Sequence, residues 1–158
     1  MQAIATFAAG CVWGVEANFR KLIGQGVVDT QVGYTGGHLE NPTYRLVCRG
    51  DSGHAEAVQV QFDPQQISYD ELVHHFFNIH NPTQADGQGP DIGSQYRSAI
   101  FFHDEQQSQI AAEIKQALES SGEYDYHIVT EIVAATQFYP AEEYHQRYFD
   151  KQGGHCRY

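Results

Sequence analysis

The chain has 158 residues, of which 41% are hydrophobic and 18% are charged. This size and composition suit one globular domain with a substantial core, and they exclude a disordered chain and a membrane-spanning chain. Twenty acidic and nine basic residues give a formal net charge of −11. Such a charge disfavours nucleic acid as a partner, because the phosphate backbone would be repelled. Residues 1–7 lack a basic segment, so we expect no signal peptide and a cytoplasmic location.

Alternating apolar and polar residues, bounded by turn residues, predict five strands. The predicted strands are residues 2–9, 27–34, 55–62, 97–102 and 128–134. The alternation is clearest at residues 55–62, which we expect to form a half-buried strand. Capping residues and apolar residues at helical spacing predict five helices. The predicted helices are residues 14–22, 44–47, 69–79, 105–121 and 140–148.

Strands and helices are mixed without strict alternation, which indicates an α+β fold around one sheet, with residues 1–158 in a single domain. The segment 81–96 is rich in Gly, Pro, Asn and Asp and has no periodicity. It predicts a long loop, and such loops in compact domains usually carry function. The tail that starts at Asp150 contains Gly153 and Gly154 and is predicted to be mobile.

The three cysteines are Cys11, Cys48 and Cys156. Their odd number and the lack of a CxxC pair exclude a disulfide framework and a zinc knuckle. Cys11 follows a predicted strand at the start of a predicted helix, between Gly10 and Gly14. Free backbone N–H groups there would stabilise a thiolate and lower the pKa of Cys11. A buried packing role is the open alternative, because free cysteine is among the most buried residue types.

Cys156 lies in the glycine-rich tail, from which its thiol could reach a second thiol, form a disulfide and leave again. An idle exposed cysteine is the alternative. Cys48 lies in an apolar turn four residues after Tyr44, and we expect it to be a core residue. Trp13 is the only tryptophan in the chain and could form a wall of an apolar pocket.

Nine histidines raise the possibility of a metal site. His75 and His80 are five residues apart, however, so they do not share a helical face. His145 is isolated in the sequence and His155 lies in the tail. We therefore predict neither a metal nor an organic cofactor.

The segment around Cys11 resembles the GCFWG signature of the A-type peptide methionine sulfoxide reductases. The likeness continues in order along nearly the whole chain. The further motifs that resemble this family are Val32-Gly33-Tyr34, Gly36-Gly37, Asn41-Pro42-Thr43-Tyr44, Gly53-His54-Ala55-Glu56, His80-Asn81-Pro82-Thr83-Gln84, residues 91–98 and residues 139–148. Val12 stands where the signature has phenylalanine, so we expect weaker substrate binding or a neighbouring aromatic side chain in its place. Asn81 stands where an aspartate is common before Pro82.

The resemblance assigns roles to seven residues. The catalytic residues that it implies are Cys11 as the nucleophile, Glu56 as the acid that protonates the sulfoxide oxygen, and Cys156 as the resolving thiol. The substrate-binding residues that it implies are Trp13 against the S-methyl group, Tyr44 and Tyr96 as hydrogen-bond donors to the oxygen, and Asp91 as an ordering residue. Without the resemblance, Glu56 would more often be a surface residue, although burial on its strand would raise its pKa and keep it protonated.

The resemblance also implies the fold and the reaction. The expected fold is a mixed β-sheet flanked by helices, a ferredoxin-like two-layer sandwich with a coiled C-terminal tail. The expected activity is reduction of methionine S-sulfoxide, in proteins or free, through a sulfenic acid and a disulfide that thioredoxin recycles. We expect a monomer that repairs oxidised proteins. A cysteine hydrolase with a histidine base and a peptide-binding module with incidental thiols are the alternatives.

Overall fold

The computed structural model describes residues 2–152. The strands are β1 (Ala3–Ala9), β2 (Val27–Thr35), β3 (Ala55–Phe62), β4 (Gly87–Gln88), β5 (Asp91–Ile92), β6 (Ser98–Phe102), β7 (Glu131–Ala134) and β8 (Tyr139–Pro140). The α-helices are α1 (Val12–Arg20), α2 (Tyr44–Cys48), α3 (Tyr69–Asn78), α4 (Glu105–Ser120) and α5 (Tyr148–Gln152). Two short 3-10 helices span Ser94–Tyr96 and Glu143–His145. All five predicted strands are present, and the last begins three residues later than predicted.

Six strands form one mixed sheet in the order β7-β6-β1-β3-β2-β8. All neighbouring pairs are antiparallel except β6 and β7, which are parallel. The central four strands and the helices α1 and α3 follow the chain order β-α-β-β-α-β of the ferredoxin-like motif. The predicted α+β fold with a mixed sheet is therefore confirmed, with β7 and β8 added at the two edges.

The main core lies between the sheet and the helices α1, α3 and α4, which contribute to a single cluster of buried side chains. Phe7 of β1 is at its centre and is fully buried. Its ring stacks on Phe19 of α1 at 5.1 Å and on Phe76 of α3 at 5.2 Å between ring centroids. These contacts join both crossover helices to the strand that leads to Cys11.

The expectation that β3 is half-buried is wrong, because six of its eight residues are buried. Val58 and Val60 face the helical core, while Ala55 and Ala57 face a second cluster on the other side of the sheet. The chain after β7 covers that second face through Ala135 and Phe138. Glu56 has the same strand parity as Val58, so it points towards the helical layer.

The predicted loop 81–96 is an ordered segment that contains the β4–β5 hairpin and a 3-10 helix. The Asn81 side chain accepts hydrogen bonds from the backbone N–H and the hydroxyl group of Thr83. The side chain of Gln88 bonds to the backbone N–H and carbonyl of Asn81. Asn81 therefore forms a turn through its uncharged amide group. Its hydrogen bonds with Thr83 and Gln88 hold the segment in this conformation.

The predicted helix over residues 140–148 is wrong. Tyr139 and Pro140 pair with β2, where Gly33 permits the close approach, since a Cβ atom at Gly33 would lie 2.3 Å from the Tyr139 carbonyl oxygen. Arg147 has a φ of +52°, which separates the 3-10 helix from α5. Residues 150–152, predicted as the start of the tail, are the end of α5. Cys156 lies outside the described residues.

None of the helices within residues 2–152 is long and apolar enough to cross a membrane.

We predict that Phe7→Ala lowers the free energy of unfolding by about 3–5 kcal/mol, because it leaves a cavity between two fully buried rings. Urea denaturation monitored by circular dichroism measures this loss. Tyr126→Ala is the matched control, since this side chain is 77% exposed and its removal should change stability by less than about 0.5 kcal/mol. A loss of under about 1 kcal/mol for Phe7→Ala would contradict the central position of this ring.

Candidate active site

Cys11 lies at the corner where β1 leads into α1, as predicted. Gly10 has a φ of +104°, a conformation that glycine adopts without strain, and it turns the chain sharply before Cys11. Cys11 is the N-cap residue of α1. Its side chain makes no capping hydrogen bond to the helix. The backbone N–H groups of Trp13 and Gly14 nevertheless lie near enough to the sulfur to act on its pKa.

The predicted lowering of the Cys11 pKa is wrong. Burial is the largest cause and raises the pKa of Cys11 to about 12, with a further increase from the negative charges of Glu56 and Asp91. The two backbone N–H groups oppose this increase without overcoming it. Cys11 is therefore a neutral thiol near pH 7 in the substrate-free protein.

Glu56 is 2% exposed and lies behind Cys11 on β3. Its Oε1 atom accepts a hydrogen bond of 3.4 Å from the Val12 backbone N–H. Burial raises the pKa of Glu56 to about 8, and the nearby charge of Asp91 adds to this increase. Glu56 is therefore largely protonated at neutral pH, and it is not the surface residue that strand position alone would favour.

The second carboxyl oxygen of Glu56, Oε2, differs from most buried polar atoms in its hydrogen bonding. Oε2 is buried and has no hydrogen-bond partner within residues 2–152. A protonated carboxyl group has one O–H donor, and a buried donor without a partner costs about 1–3 kcal/mol. An incoming ligand with an acceptor oxygen would remove that cost.

A pocket of about 250 Å³ opens beside Cys11. The residues that line it are Cys11, Trp13, Gly14, Tyr44, Asp91, Tyr96, Tyr148 and Phe149. The structure thus places on one pocket all four predicted substrate-binding residues together with the predicted nucleophile. Glu56 does not line the pocket, but its hydrogen bond to the backbone N–H of Val12 places it next to Cys11.

Tyr44 and Tyr96 come from different parts of the chain, α2 and the 3-10 helix that follows β5. Burial raises the pKa of both hydroxyl groups above the usual range, so both stay protonated and can donate hydrogen bonds. Glu142 holds Tyr44 in place. Its carboxylate accepts the Tyr44 backbone N–H at 3.0 Å and the Tyr34 hydroxyl at 2.9 Å, which fixes α2 against β2.

The aromatic wall of the pocket is formed by Trp13 and by α5. The Trp13 ring stacks on Tyr148 with centroids 4.0 Å apart and planes at 12°, and Phe149 also lines the pocket. Val12 is 4% exposed and packs in the core instead. Tyr148 and Phe149 of α5 therefore supply the aromatic side chains beside Trp13 in this wall.

Two cysteine predictions have different outcomes. Cys48, expected in the core, is exposed, because the short helix α2 buries Val47 alone. It lies beside the hydroxyl groups of Tyr44 and Tyr96. The prediction for Cys156 cannot be compared with a position, since this residue lies outside the described part of the chain.

The sequence interpretation missed the contributions of Glu142, Tyr148 and Phe149, and of His145, whose Nδ1 atom accepts a hydrogen bond of 2.9 Å from the Trp13 indole. All four belong to the late segment, which lies more than 90 residues from Tyr44 and more than 120 from Trp13. Only its likeness to the late block of the family marked this segment beforehand.

Larger grooves of about 400 and 520 Å³ occur elsewhere on the surface, and their linings contain no cysteine. No group of three or more His, Cys, Asp or Glu residues within residues 2–152 is placed to hold a metal ion. At the Cys11 pocket the thiol lies close to the protonated carboxyl group of Glu56 and to two tyrosine hydroxyl groups. This arrangement is suited to reducing a polar group on an otherwise apolar ligand.

Comparisons with known proteins agree with this chemistry. A family model described as peptide methionine sulfoxide reductase matches residues 3–158. The peptide methionine sulfoxide reductase MsrA of Methanosarcina acetivorans is 56% identical over 149 residues, which cover 94% of this chain and 78% of that protein.

Solved structures are similar as well. Mxr1 from Saccharomyces cerevisiae in its reduced form has a TM-score of 0.91 and 40% identity, over 99% of this chain and 90% of that chain. Mxr1 in complex with Trx2 has a TM-score of 0.67 and 31% identity, over 93% of this chain and 84% of that chain.

We predict that Glu56 makes the folded state less stable as the pH rises. Its folded pKa of about 8 exceeds its ordinary value of 4.5, so its favourable contribution is complete below pH 4.5 and is lost as the pH rises through 8. Glu56→Gln stays neutral and should gain stability over the wild type by a few kcal/mol between about pH 5 and pH 9. Urea unfolding at these two pH values measures the difference.

The exposed Glu71 provides the matched control, because the surface substitution Glu71→Gln should change the free energy of unfolding by less than about 1 kcal/mol at both pH values. Parallel curves for Glu56→Gln and the wild type would show that Glu56 is charged at neutral pH.

Proposed function

The chain belongs to the peptide methionine sulfoxide reductase family, and on this premise we propose that Cys11 reduces methionine sulfoxide to methionine with Glu56 as the proton donor. The observation that carries the assignment is the buried, protonated carboxyl group beside a thiol in an aromatic pocket. The sulfur of a sulfoxide is electrophilic, but its oxygen is a poor leaving group until it is protonated. The activity is favoured over the cysteine hydrolase and peptide-binding alternatives by the family match.

The proposed substrate pose uses the donors and the aromatic wall of the pocket. The sulfoxide oxygen would accept hydrogen bonds from Tyr44, Tyr96 and the Oε2 atom of Glu56, which has no partner among the described residues. The S-methyl group would pack against Trp13, and Asp91 would order the opposite rim. The pocket volume of about 250 Å³ suits one methionine side chain. The S epimer and both free and protein-bound substrates are carried over from the resemblance as part of the proposal.

The proposed first step balances in atoms and charge. The Cys11 sulfur attacks the sulfoxide sulfur and forms a sulfur–sulfur bond while Glu56 protonates the oxygen, and the thiol proton replaces the proton on Glu56. The resulting hydroxyl group passes from the substrate sulfur to the Cys11 sulfur as the sulfur–sulfur bond breaks. Methionine leaves and Cys11 becomes a sulfenic acid, so two electrons pass from Cys11 to the sulfoxide. Because the acid and the thiol are both neutral at the start, the site gains no net charge in a buried environment where charge is costly.

The proposed second step restores the enzyme. The thiol of Cys156 attacks the Cys11 sulfenic acid, water leaves and a disulfide forms. A thioredoxin dithiol then reduces this disulfide by thiol–disulfide exchange. The structure of the similar Mxr1 with Trx2 supports such a reductant. In this proposal residues 1–158 form a single catalytic domain whose tail carries Cys156, working in the cytoplasm, where dithiol reductants keep thiols reduced.

We predict that Glu56→Gln lowers the turnover of methionine sulfoxide at least about 100-fold, because the amide cannot protonate the leaving oxygen. The Cys11 thiol should still react with an alkylating reagent, which shows that the site is intact. Steady-state rates with a thioredoxin reductant measure the effect, and the exposed Glu71→Gln should turn over normally. A Glu56→Gln enzyme with near-normal turnover would remove Glu56 as the acid.

We predict a single turnover when the fully reduced protein meets methionine sulfoxide without an external reductant. One methionine per chain should be released, the intact mass should fall by about 2 Da for one disulfide, and only Cys48 should remain free. Mass spectrometry and thiol counting measure these changes. The Cys156→Ser control should release the same methionine but gain about 16 Da as a sulfenic acid.

Other outcomes of this experiment are equally informative. Methionine released by a wild-type chain in which Cys156 stays free would remove Cys156 as the resolving thiol. No methionine and no mass change would contradict the proposed reaction at Cys11.

A further inference from the structure

The short helix α2 carries two arginines next to the pocket. Tyr44 lines the pocket, and Arg45 and Arg49 are exposed on the neighbouring strip of the helix. Residues four apart share one helical face, and successive residues are turned by about 100°. Val47, which α2 buries against the core, is therefore directly opposite the two arginines. Both guanidinium groups thus belong to the solvent side of α2, beside the opening of the pocket.

These two arginines differ from the other basic residues in their contacts. The six other basic side chains within residues 2–152 each bond to a carboxylate, an amide oxygen or a backbone carbonyl. They are Arg20, Lys21, Arg97, Lys115, Arg147 and Lys151. Arg45 and Arg49 form no ion pair or hydrogen bond with the residues that the structure describes. Because the chain has 20 acidic residues and only nine basic ones, two unpaired guanidinium groups at one place are unusual.

A pair of arginines at this spacing suits a carboxylate ligand. A guanidinium group presents a planar fork of N–H donors that matches the two oxygens of a carboxylate. The Cβ atoms of Arg45 and Arg49 are about 5–6 Å apart in helical geometry, so one acidic side chain can contact both. The net charge of −11 repels acidic polypeptides elsewhere, and Asp91 within the pocket repels them too. Attraction of such a polypeptide to this place would therefore come from α2.

An exposed aromatic side chain lies on the same side of the pocket. Tyr144 is 56% exposed and is close enough to Cys48 of α2 for their charges to interact. Its ring lies 4.1 Å from the His145 ring, which lies 4.5 Å from the Tyr44 ring between centroids. Tyrosine and arginine are enriched in the centres of protein interfaces. The three exposed side chains of Arg45, Arg49 and Tyr144 are called the α2 rim below.

We propose that the α2 rim docks the polypeptide that carries the methionine sulfoxide, and that its two arginines favour substrates with Asp or Glu beside the oxidised methionine. The proposal rests on the proposed function and specifies its substrate class. A methionine side chain that enters the pocket brings its neighbours in the chain to the α2 rim, because successive Cα atoms are only about 3.8 Å apart. The substrate polypeptide must therefore approach these arginines in every turnover. The dithiol reductant instead acts on the disulfide of Cys156, which lies outside the described residues.

The test uses substrates with blocked ends. They are N-acetyl-methionine sulfoxide amide and two peptides in which methionine sulfoxide is flanked by glutamates or by glutamines, which match glutamate in shape without its charge. We expect the wild-type kcat/KM for the Glu peptide to exceed that for the Gln peptide about fivefold at low ionic strength, because each exposed ion pair contributes about two- to threefold. Salt at about 1 M should remove most of this preference, since the Debye length is then only about 3 Å.

The variants remove the charges one at a time. Arg45→Gln and Arg49→Gln should each lower the preference for the Glu peptide about two- to threefold, and the double variant should abolish it. Lys21→Gln is the matched control, because it removes one exposed positive charge at the end of α1 and should keep the wild-type preference. All variants should reduce the uncharged N-acetyl amide at the wild-type rate, which shows that the pocket is intact.

Equal kcat/KM values for the Glu and Gln peptides in the wild type would overturn the proposal, as would a preference that survives in the double variant. A double variant that keeps its peptide preference but has a higher KM for the dithiol reductant would assign the arginines to the reductant and would also overturn it. Failure of the proposed function is a separate result, because the wild type would then not reduce even the uncharged N-acetyl amide.

Discussion

The carboxyl group of Glu56 is held 3.4 Å from the backbone N–H of Val12, at a depth where only 2% of the residue is exposed. This contact joins the central strand β3 to the first turn of α1, the same turn that carries Cys11. It is possible because β3 lies between β1 and β2 and is covered on both faces. The burial that raises the pKa of Glu56 also raises the pKa of Cys11, so one structural constraint sets the protonation of both groups.

The C-terminal segment completes the site from the opposite side. Pro140 pairs with the outer edge of β2, Glu142 fixes α2, and Tyr148 covers the indole of Trp13. The ferredoxin-like core ends with β6, and all three contacts are made by residues that follow β6 in the chain. The core thus supplies the thiol and the acid, while the added segment supplies the aromatic wall and the support for the hydroxyl donors.

The sequence predicted the strands well, because their periodicity and turn residues are local properties. It did not predict that β3 is buried on both faces, since Ala135 and Phe138 cover it from a distant part of the chain. The pKa of Cys11 was predicted in the wrong direction because the helix start is visible in the sequence, whereas the amount of burial around the sulfur is not.

The same limitation applies to the late segment. The proline pattern suggested a helix after Pro140, and this prediction was wrong because long-range pairing with β2 overrides local preference. The motifs placed Trp13, Tyr44, Asp91 and Tyr96 in the correct region only through likeness to the family.

A neutral thiol has a physical advantage in an enzyme that handles oxidised substrates. Susceptibility of cysteine to oxidation follows its thiolate character and its exposure. The raised pKa of Cys11 keeps the thiolate fraction low in the empty site, although the backbone N–H groups of Trp13 and Gly14 act in the opposite direction on this pKa. In the proposed reaction, a bound sulfoxide oxygen would give Glu56 the partner that its Oε2 atom lacks among the described residues. Once Glu56 had donated its proton, the carboxylate would be a base beside the thiol. Proton donation to the substrate and activation of the nucleophile would then be two parts of one transfer, and the attacking sulfur would be generated only when a sulfoxide is bound.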